Sequence, residues 1–342
     1  MKIIVENSTW NNLGDGFYQN TLFNLISEIF PNAEVYCGEG PVERSFKPKK
    51  RHIINSFKLI ENQNADIHVF SGPMLKNLIK TDYYKAIKNI IESGANYALL
   101  SCSCDGLKGL ELNRVREFLI KFPPIAFASR DPYTYEVFKD FVPTSYNGIC
   151  TAFLVDKYLK IDTLELKEKY FVSSFYTKPE PNYSSELNQN INIKDVDVSY
   201  GKCYLPLLPW KINRHLEIYK NSISNLGELR IIRTVQGVSN KSNNYNFKYP
   251  NSFITYNPIT LLSLFKGCEF TISDRVHACA VTLVFGKPAR FLHKTDRAGI
   301  FDRFNLDYKN NDGFMYPNGL NEQIDHETEL LKEYIYERFS NI

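Results

Sequence analysis

The sequence predicts an α/β protein of two domains that face a cleft, followed by a C-terminal helix. Short β-branched runs alternate with stretches of helical apolar spacing along most of the chain. The connections between them are short, which suits a parallel sheet covered on both faces. A charged seam, "LVDKYLKIDTLELKEKY" (Leu154–Tyr170), divides the alternation in two. The 342 residues suffice for two cores. The expected divisions are residues 1–160, 168–320 and a helix at 321–342.

The first strand is "KIIVEN", followed by the turn-rich "STWNNLGDG" and the helix "FYQNTLFNLISEIF". "AEVYCG" and "ADIHVFSGP" are the next strands, the second ending on a Gly-Pro break. "YYKAIKNIIESG" is an amphipathic helix closed by Gly94, and "ANYALLSCS" is a strand. "RVREFLIKF", "PPIAFASRD" and "PYTYEVFKDF" continue as helix, strand and a helix opened by Pro132. Past the seam, "YFVSSFYT" is a strand and "TKPEPNYSSELNQNINIKD" a long polar loop. "LEIYKNSISNL" reads as helix, "ELRIIRTVQ" as strand and "VSNKSNNYNFKYPNS" as a polar insertion. Then come the helix "PITLLSLFKGC", the strand "EFTIS", the helix "RVHACAVTLVFG" and the strand "KPARFLH". "NEQIDHETELLKEYIYERF" closes the chain as an amphipathic helix.

Composition narrows the function. Hydrophobic residues make up 43% and the formal charge is only +3, too small and dispersed for a nucleic-acid footprint. The one basic cluster, "KPKKRH" (Lys47–His52), reads as a solvated loop, with peripheral contact to anionic headgroups kept as a second reading. The opening "MKIIVENSTWNN" lacks the apolar stretch of a signal peptide, and no apolar run reaches membrane-spanning length. A cytoplasmic protein is expected. Seven irregularly spaced cysteines read as reduced thiols, and the C-x-C of "SCSCDG" lacks a second ligand pair, so no metal is expected.

Three stretches carry chemistry. In "EFTISDRVHACAVTLVFG", Ser273 or Asp274 is placed to cap a helix whose first turn holds Arg275 and His277. Cations at a helix N-terminus oppose the helix dipole, so they make sense for holding phosphate or carboxylate rather than for stability. The structural alternative pairs Arg275 with Asp274 and buries His277 as a core histidine. In "FASRDPYTYEVF", Asp131 is the helix cap and Arg130 ends a strand, either for function or for a salt bridge at the sheet edge. In "WNNLGDGFYQN", Asn12 holds a tight turn, Gly14 permits close backbone approach, and Asp15 is a cap or an acceptor for sugar hydroxyls. The G-x-G-x-x-G dinucleotide fingerprint is absent.

Together, "NNLGD", "SRDPYTYEVF" and "SDRVHACAVTLVFGKP" resemble the polysaccharide pyruvyl transferases, in order and spacing from about Asn7 to about Leu306. The family's Arg-Leu-His step reads Arg275-Val276-His277 here. The chain departs from the family at "FSGPML", which has a single glycine, and at "NGICTAFLVD", where members often show Asp-Pro-Ala. The resemblance implies two Rossmann-like domains of the GT-B-like type. It further implies phosphoenolpyruvate as donor substrate, no cofactor, and a saccharide or lipid-linked saccharide of a cell-envelope or exopolysaccharide as acceptor. The product would be a cyclic pyruvate ketal.

In that reading Arg130, Arg275 and either Lys294 or Arg297 grip the donor's two acidic groups. His277 moves protons or only binds the phosphate. The stretches Lys178–Asn192 and Ser239–Ser252 are candidate acceptor loops. A nucleotide-sugar glycosyltransferase on the same scaffold and a non-catalytic member of the family are the rival readings.

Overall fold

The computed structural model describes residues 1–7, 12–38, 63–185, 193, 196–200, 208–209, 212, 223–237, 247–309 and 313–342. In the first half, β1 (Lys2–Glu6), β2 (Glu34–Gly38), β3 (Ile67–Gly72), β4 (Asn96–Cys102) and β5 (Ala126–Ser129) form a parallel sheet. Their order is β2-β1-β3-β4-β5. Residues along each strand alternate between faces. Val69, Ala98 and Ala126 meet α1 (Leu13–Ile29), while Phe70, Leu99 and Phe127 pack on the side of α2 (Thr81–Glu92) and α3 (Gly109–Lys121). The short helix α4 (Pro132–Phe138) follows β5, capped by Asp131 as its sequence requires.

The second half opens with β6 (Tyr170–Ser174). Next come β7 (Asn182–Ser184), within the stretch expected to be a polar loop, and β8 (Asp197–Ser199), just past its end, which pair as an antiparallel ribbon. The helix expected at "LEIYKNSISNL" lies mostly outside the described residues. Its end is instead extended: β9 (Asn225–Leu226) pairs antiparallel with β10 (Leu229–Thr234) across a turn at Gly227. Then follow β11 (Ser252–Phe253), α5 (Pro258–Gly267), β12 (Thr271–Ser273), α6 (Val276–Val284), β13 (Ala289–Phe291) and α7 (Leu320–Phe339). The parallel order is β11-β10-β6-β12-β13, the doubly wound 3-2-1-4-5 arrangement.

In such sheets the strand order reverses at one point, and ligands lie there beyond the carboxyl ends. The reversals fall between β1 and β3 in the first sheet and between β6 and β12 in the second. The two crevices face each other.

One apolar core spans both halves, from Ile3 and Val5 through Phe17 and Leu22 of α1 to Phe265 of α5 and Ala280 of α6. Phe17 meets Phe265 edge-on, with ring centroids 6.5 Å apart. The last helix, α7, returns to the first half. Phe30 stacks on Tyr336 and Phe339, and the Tyr334 hydroxyl accepts from Phe127 N–H at 3.0 Å. Among the described residues, no helix is long and apolar enough to cross a membrane. The Lys47–His52 cluster lies outside the described residues.

Ile335 is fully buried where α7 closes this core. Ile335→Ala should lower unfolding stability by about 2–5 kcal/mol, read from the urea midpoint at unchanged slope.

Candidate functional site

A cavity of about 470 Å³ lies where the two crevices meet. Its walls are loops at the carboxyl ends of strands from both sheets, so residues remote in sequence converge there. Asn12, Asp15, Arg130, Arg275, His277 and Arg297 all line it.

Arg130 leaves β5 and is only 2% exposed. Its Nε has no hydrogen-bond partner, and among the described residues no carboxylate pairs with its guanidinium. The adjacent Asp131 is committed to α4: one oxygen accepts from Thr134 N–H at 2.8 Å and the other from the Thr134 hydroxyl at 3.0 Å. The alternative of a sheet-edge salt bridge therefore does not describe Arg130.

Arg275 repeats the pattern. The sequence expectation that Ser273 or Asp274 caps α6 is overturned. Arg275 itself occupies the N-cap position, with no side-chain capping bond. Asp274 turns away and accepts backbone N–H bonds from Tyr176 (3.0 Å), Thr177 and Lys178 (2.6 Å), latching the loop after β6. Ser273 accepts from Arg275 N–H and donates to Ser174 C=O. A carboxylate saturated by three amides satisfies the loop, which is a stronger demand than one helix cap. The Arg275 guanidinium lies 5.4 Å from the Tyr176 ring and pairs with no carboxylate among the described residues. The first-turn residues Val276 and His277 face the cavity beside it.

His277 is held on three sides. Its Nε2 is 3.7 Å from Cys150 Sγ, and its ring lies 5.3 Å from that of Tyr18. A Cβ at Gly14 would come within 3.0 Å of its Nδ1, so residue 14 must be glycine for α1 to approach. Burial, and then Arg130, Arg275 and Arg297, holds the imidazole well below its ordinary titration range. The ring is neutral at neutral pH, whereas the sequence led us to expect a group titrating there.

The start of α1 joins the two halves. Asn12 caps the helix by accepting from Gly14 N–H at 3.3 Å, and its Nδ2 donates to Asp15 at 3.3 Å. Leu13 N–H donates to Gln236 C=O at 2.7 Å, across the cleft.

Of the two cations expected to complete the site, Arg297 lines the cavity. Thr295 caps a short 3-10 turn, accepting from Arg297 N–H, and the turn directs Arg297 inward. Lys294 is exposed and does not line the cavity. Arg297 is not free, however: its Nε donates to Asp105 at 2.8 Å, a second nitrogen engages the other carboxylate oxygen, and Lys76 meets Asp105 at 2.9 Å. Burial would raise the Asp105 pKa, but Arg297 and Lys76 pull it well below the usual carboxylate range.

The sequence reading did not find Lys76, Asp105, Tyr176, Gln236 or His293, all on the cavity wall. Asp105 carried a signal in the turn "CDG", where its φ is +35°. The C-x-C cysteines diverge: Cys102 Sγ faces Phe70 C=O, and Cys104 Sγ accepts from Thr134. Among the described residues, no three His, Cys, Asp or Glu side chains gather as a metal site, and the six described cysteines are free.

Residues 8–292 match the family model of the polysaccharide pyruvyl transferases, and the chain belongs to that family. No curated protein matches it significantly. Among solved structures it is similar to a putative UDP-N-acetylglucosamine 2-epimerase from Listeria monocytogenes, at 9% identity and TM-score 0.56, covering 97% of this chain and 90% of that one. The UDP-GlcNAc 2-epimerase of Methanocaldococcus jannaschii, in complex with UDP-GlcNAc and UDP, gives 10% and 0.52, covering 98% and 100%. The UDP-GlcNAc 2-epimerase of Neisseria meningitidis, bound to UDP-GlcNAc, gives 12% and 0.51, with the same coverage. These likenesses establish the GT-B-like fold.

Because the Asp105 carboxyl titrates lower in the folded chain than in the unfolded one, its contribution to stability is present above pH about 4 and is lost as pH falls through its folded value. Asp105→Asn should cost roughly 1–2 kcal/mol at pH 7. The gap between the two melting temperatures should narrow progressively below pH about 4, in calorimetry across a pH series.

Proposed function

We propose that this protein transfers the pyruvyl group of phosphoenolpyruvate to two hydroxyls of a saccharide, forming a cyclic ketal. The observation that carries the reading is the pair Arg130 and Arg275, both facing one cavity without a carboxylate partner among the described residues. A buried guanidinium without a counter-ion costs several kcal/mol. A ligand bearing two acidic groups a few ångströms apart relieves that cost at the buried Arg130 and a smaller one at the half-buried Arg275.

Phosphate fits Arg275 and the uncapped first turn of α6, where backbone N–H groups and the helix dipole add to the guanidinium. The carboxylate fits Arg130 from the opposite wall. Arg297, held rigid by Asp105, adds positive potential without needing reorientation.

In the reaction, the donor's methylene carbon gains a proton and its central carbon is attacked by one hydroxyl oxygen, which loses its own proton. A second hydroxyl oxygen then displaces phosphate from the same carbon, and its proton leaves with the phosphate. The overall change consumes no proton. His277 starts neutral and therefore accepts the first hydroxyl proton as a base. The trianionic donor offsets the three guanidinium charges that disfavour imidazolium, which lets the same ring hold the proton and pass it to the methylene carbon.

Phosphoenolpyruvate should raise the melting temperature of the purified protein, by about 2.7 kcal/mol in stability at 100 times Kd. Arg130→Ala and Arg275→Ala should each remove that shift. His277→Ala should keep the shift and lose roughly 10²–10⁴-fold in kcat. A protein stabilised by UDP-N-acetylglucosamine and not by phosphoenolpyruvate would be a nucleotide-sugar enzyme instead.

A further inference from the structure

Gln236 is a buried carboxamide that the protein itself does not use. It follows β10, is 1% exposed, and lines the cavity. Its backbone carbonyl is engaged by Leu13, but its Nε2 is buried without a partner, and no described residue hydrogen-bonds to its side chain. A buried amide left in that state costs about 1–3 kcal/mol, and native proteins seldom tolerate the cost without a role for the group.

Its position suggests the role. A Cβ at Gly14 would lie 2.8 Å from Gln236 Oε1 and 3.0 Å from His277 Nδ1, so these two atoms are within about 6 Å of each other. The carboxamide and the Nδ1 edge of the ring therefore lie side by side, so that a hydroxyl oxygen can accept from Nε2 while its one proton is offered to Nδ1. Asn12 and Asp15, at the start of α1, line the same wall.

Chemistry separates this wall from the guanidinium wall. Carboxylate and phosphate are acceptors only and call for cations. A sugar hydroxyl is uncharged and both donates and accepts, as a carboxamide does. We infer that Gln236 binds the acceptor saccharide: its Nε2 donates to the oxygen of the hydroxyl whose proton His277 Nδ1 takes, with the sugar lying against the first turn of α1. The inference rests on the pyruvyl-transfer reading for the identity of the reaction, but not for the binding of a saccharide.

The test compares wild type with Gln236→Leu, which keeps the volume and removes both polar atoms. Because the amide Nε2 has no partner among the described residues, the variant should fold with an unchanged or higher melting temperature. Binding of the 4-nitrophenyl glycosides of mannose, galactose and N-acetylglucosamine is followed by saturation-transfer NMR with phosphoenolpyruvate present, and turnover by phosphate release. Expected are an acceptor KM or Kd raised about 10-fold and an unchanged thermal shift by phosphoenolpyruvate. Sugar affinity equal in both proteins overturns the inference, as does loss of the phosphoenolpyruvate shift in the variant, which would place Gln236 on the donor. A wild type that binds the donor but none of the sugars also overturns it. Conversely, sugar binding that depends on Gln236 in a protein indifferent to phosphoenolpyruvate would sink pyruvyl transfer and leave the saccharide site standing.

Discussion

Two arginines next to aspartates, neither of them paired with its neighbour, set the character of this molecule. In Arg130-Asp131 the carboxylate is saturated by Thr134 at the start of α4, and in Asp274-Arg275 it is saturated by the amides of Tyr176, Thr177 and Lys178. Each acid satisfies backbone or capping donors that would otherwise be buried unmet, so the adjacent guanidinium is left to the cavity. The same bonds that fix the loops thus keep the two guanidiniums from pairing directly with the acids beside them. Asp105 does the reverse for Arg297, holding it in a two-pronged pair and surrendering part of its charge in exchange for orientation.

This charge distribution governs the histidine. Three guanidiniums and full burial disfavour imidazolium, and the thiol of Cys150 behind Nε2 is itself pushed up by burial and stays protonated. The resting site therefore has a neutral ring between neutral and cationic groups. A doubly acidic ligand reverses the local field and raises the proton affinity of Nδ1 or Nε2 only once it is bound. In the proposed reaction, binding of the donor would itself ready the ring to take a proton.

The alternation of runs made both sheets legible, as did the cap at Asp131 and the convergence of Arg130, Arg275 and His277, because each rests on local pattern or on chemistry that a core would not keep. The strand order of the sheets was not legible, since β6 pairs with β10 and β12 through contacts that no local sequence encodes. Asp274 was misread as a cap because the competing demand, a loop ninety-odd residues earlier, is visible only in three dimensions. The choice between Lys294 and Arg297 turned on a Thr295 cap that winds a short 3-10 turn. Lys76 and Gln236 belong to no motif: one sits in a short 3-10 turn after β3 and the other in the loop after β10.

The tie between Leu13 N–H and Gln236 C=O gives these observations a common frame. It crosses the cleft, as do the Asp105–Arg297 pair and the approach of Gly14 to His277. Beneath them a single core runs from β1 to α7. Each half also packs a smaller apolar cluster of its own, but this shared one, with the first turn of α1 bonded to the loop after β10, sets Arg130 and Arg275 on one cavity. The backbone of Gln236 that makes this bond carries a side-chain amide whose Nε2 has no partner among the described residues, so the contact that joins the halves also sets that amide beside His277.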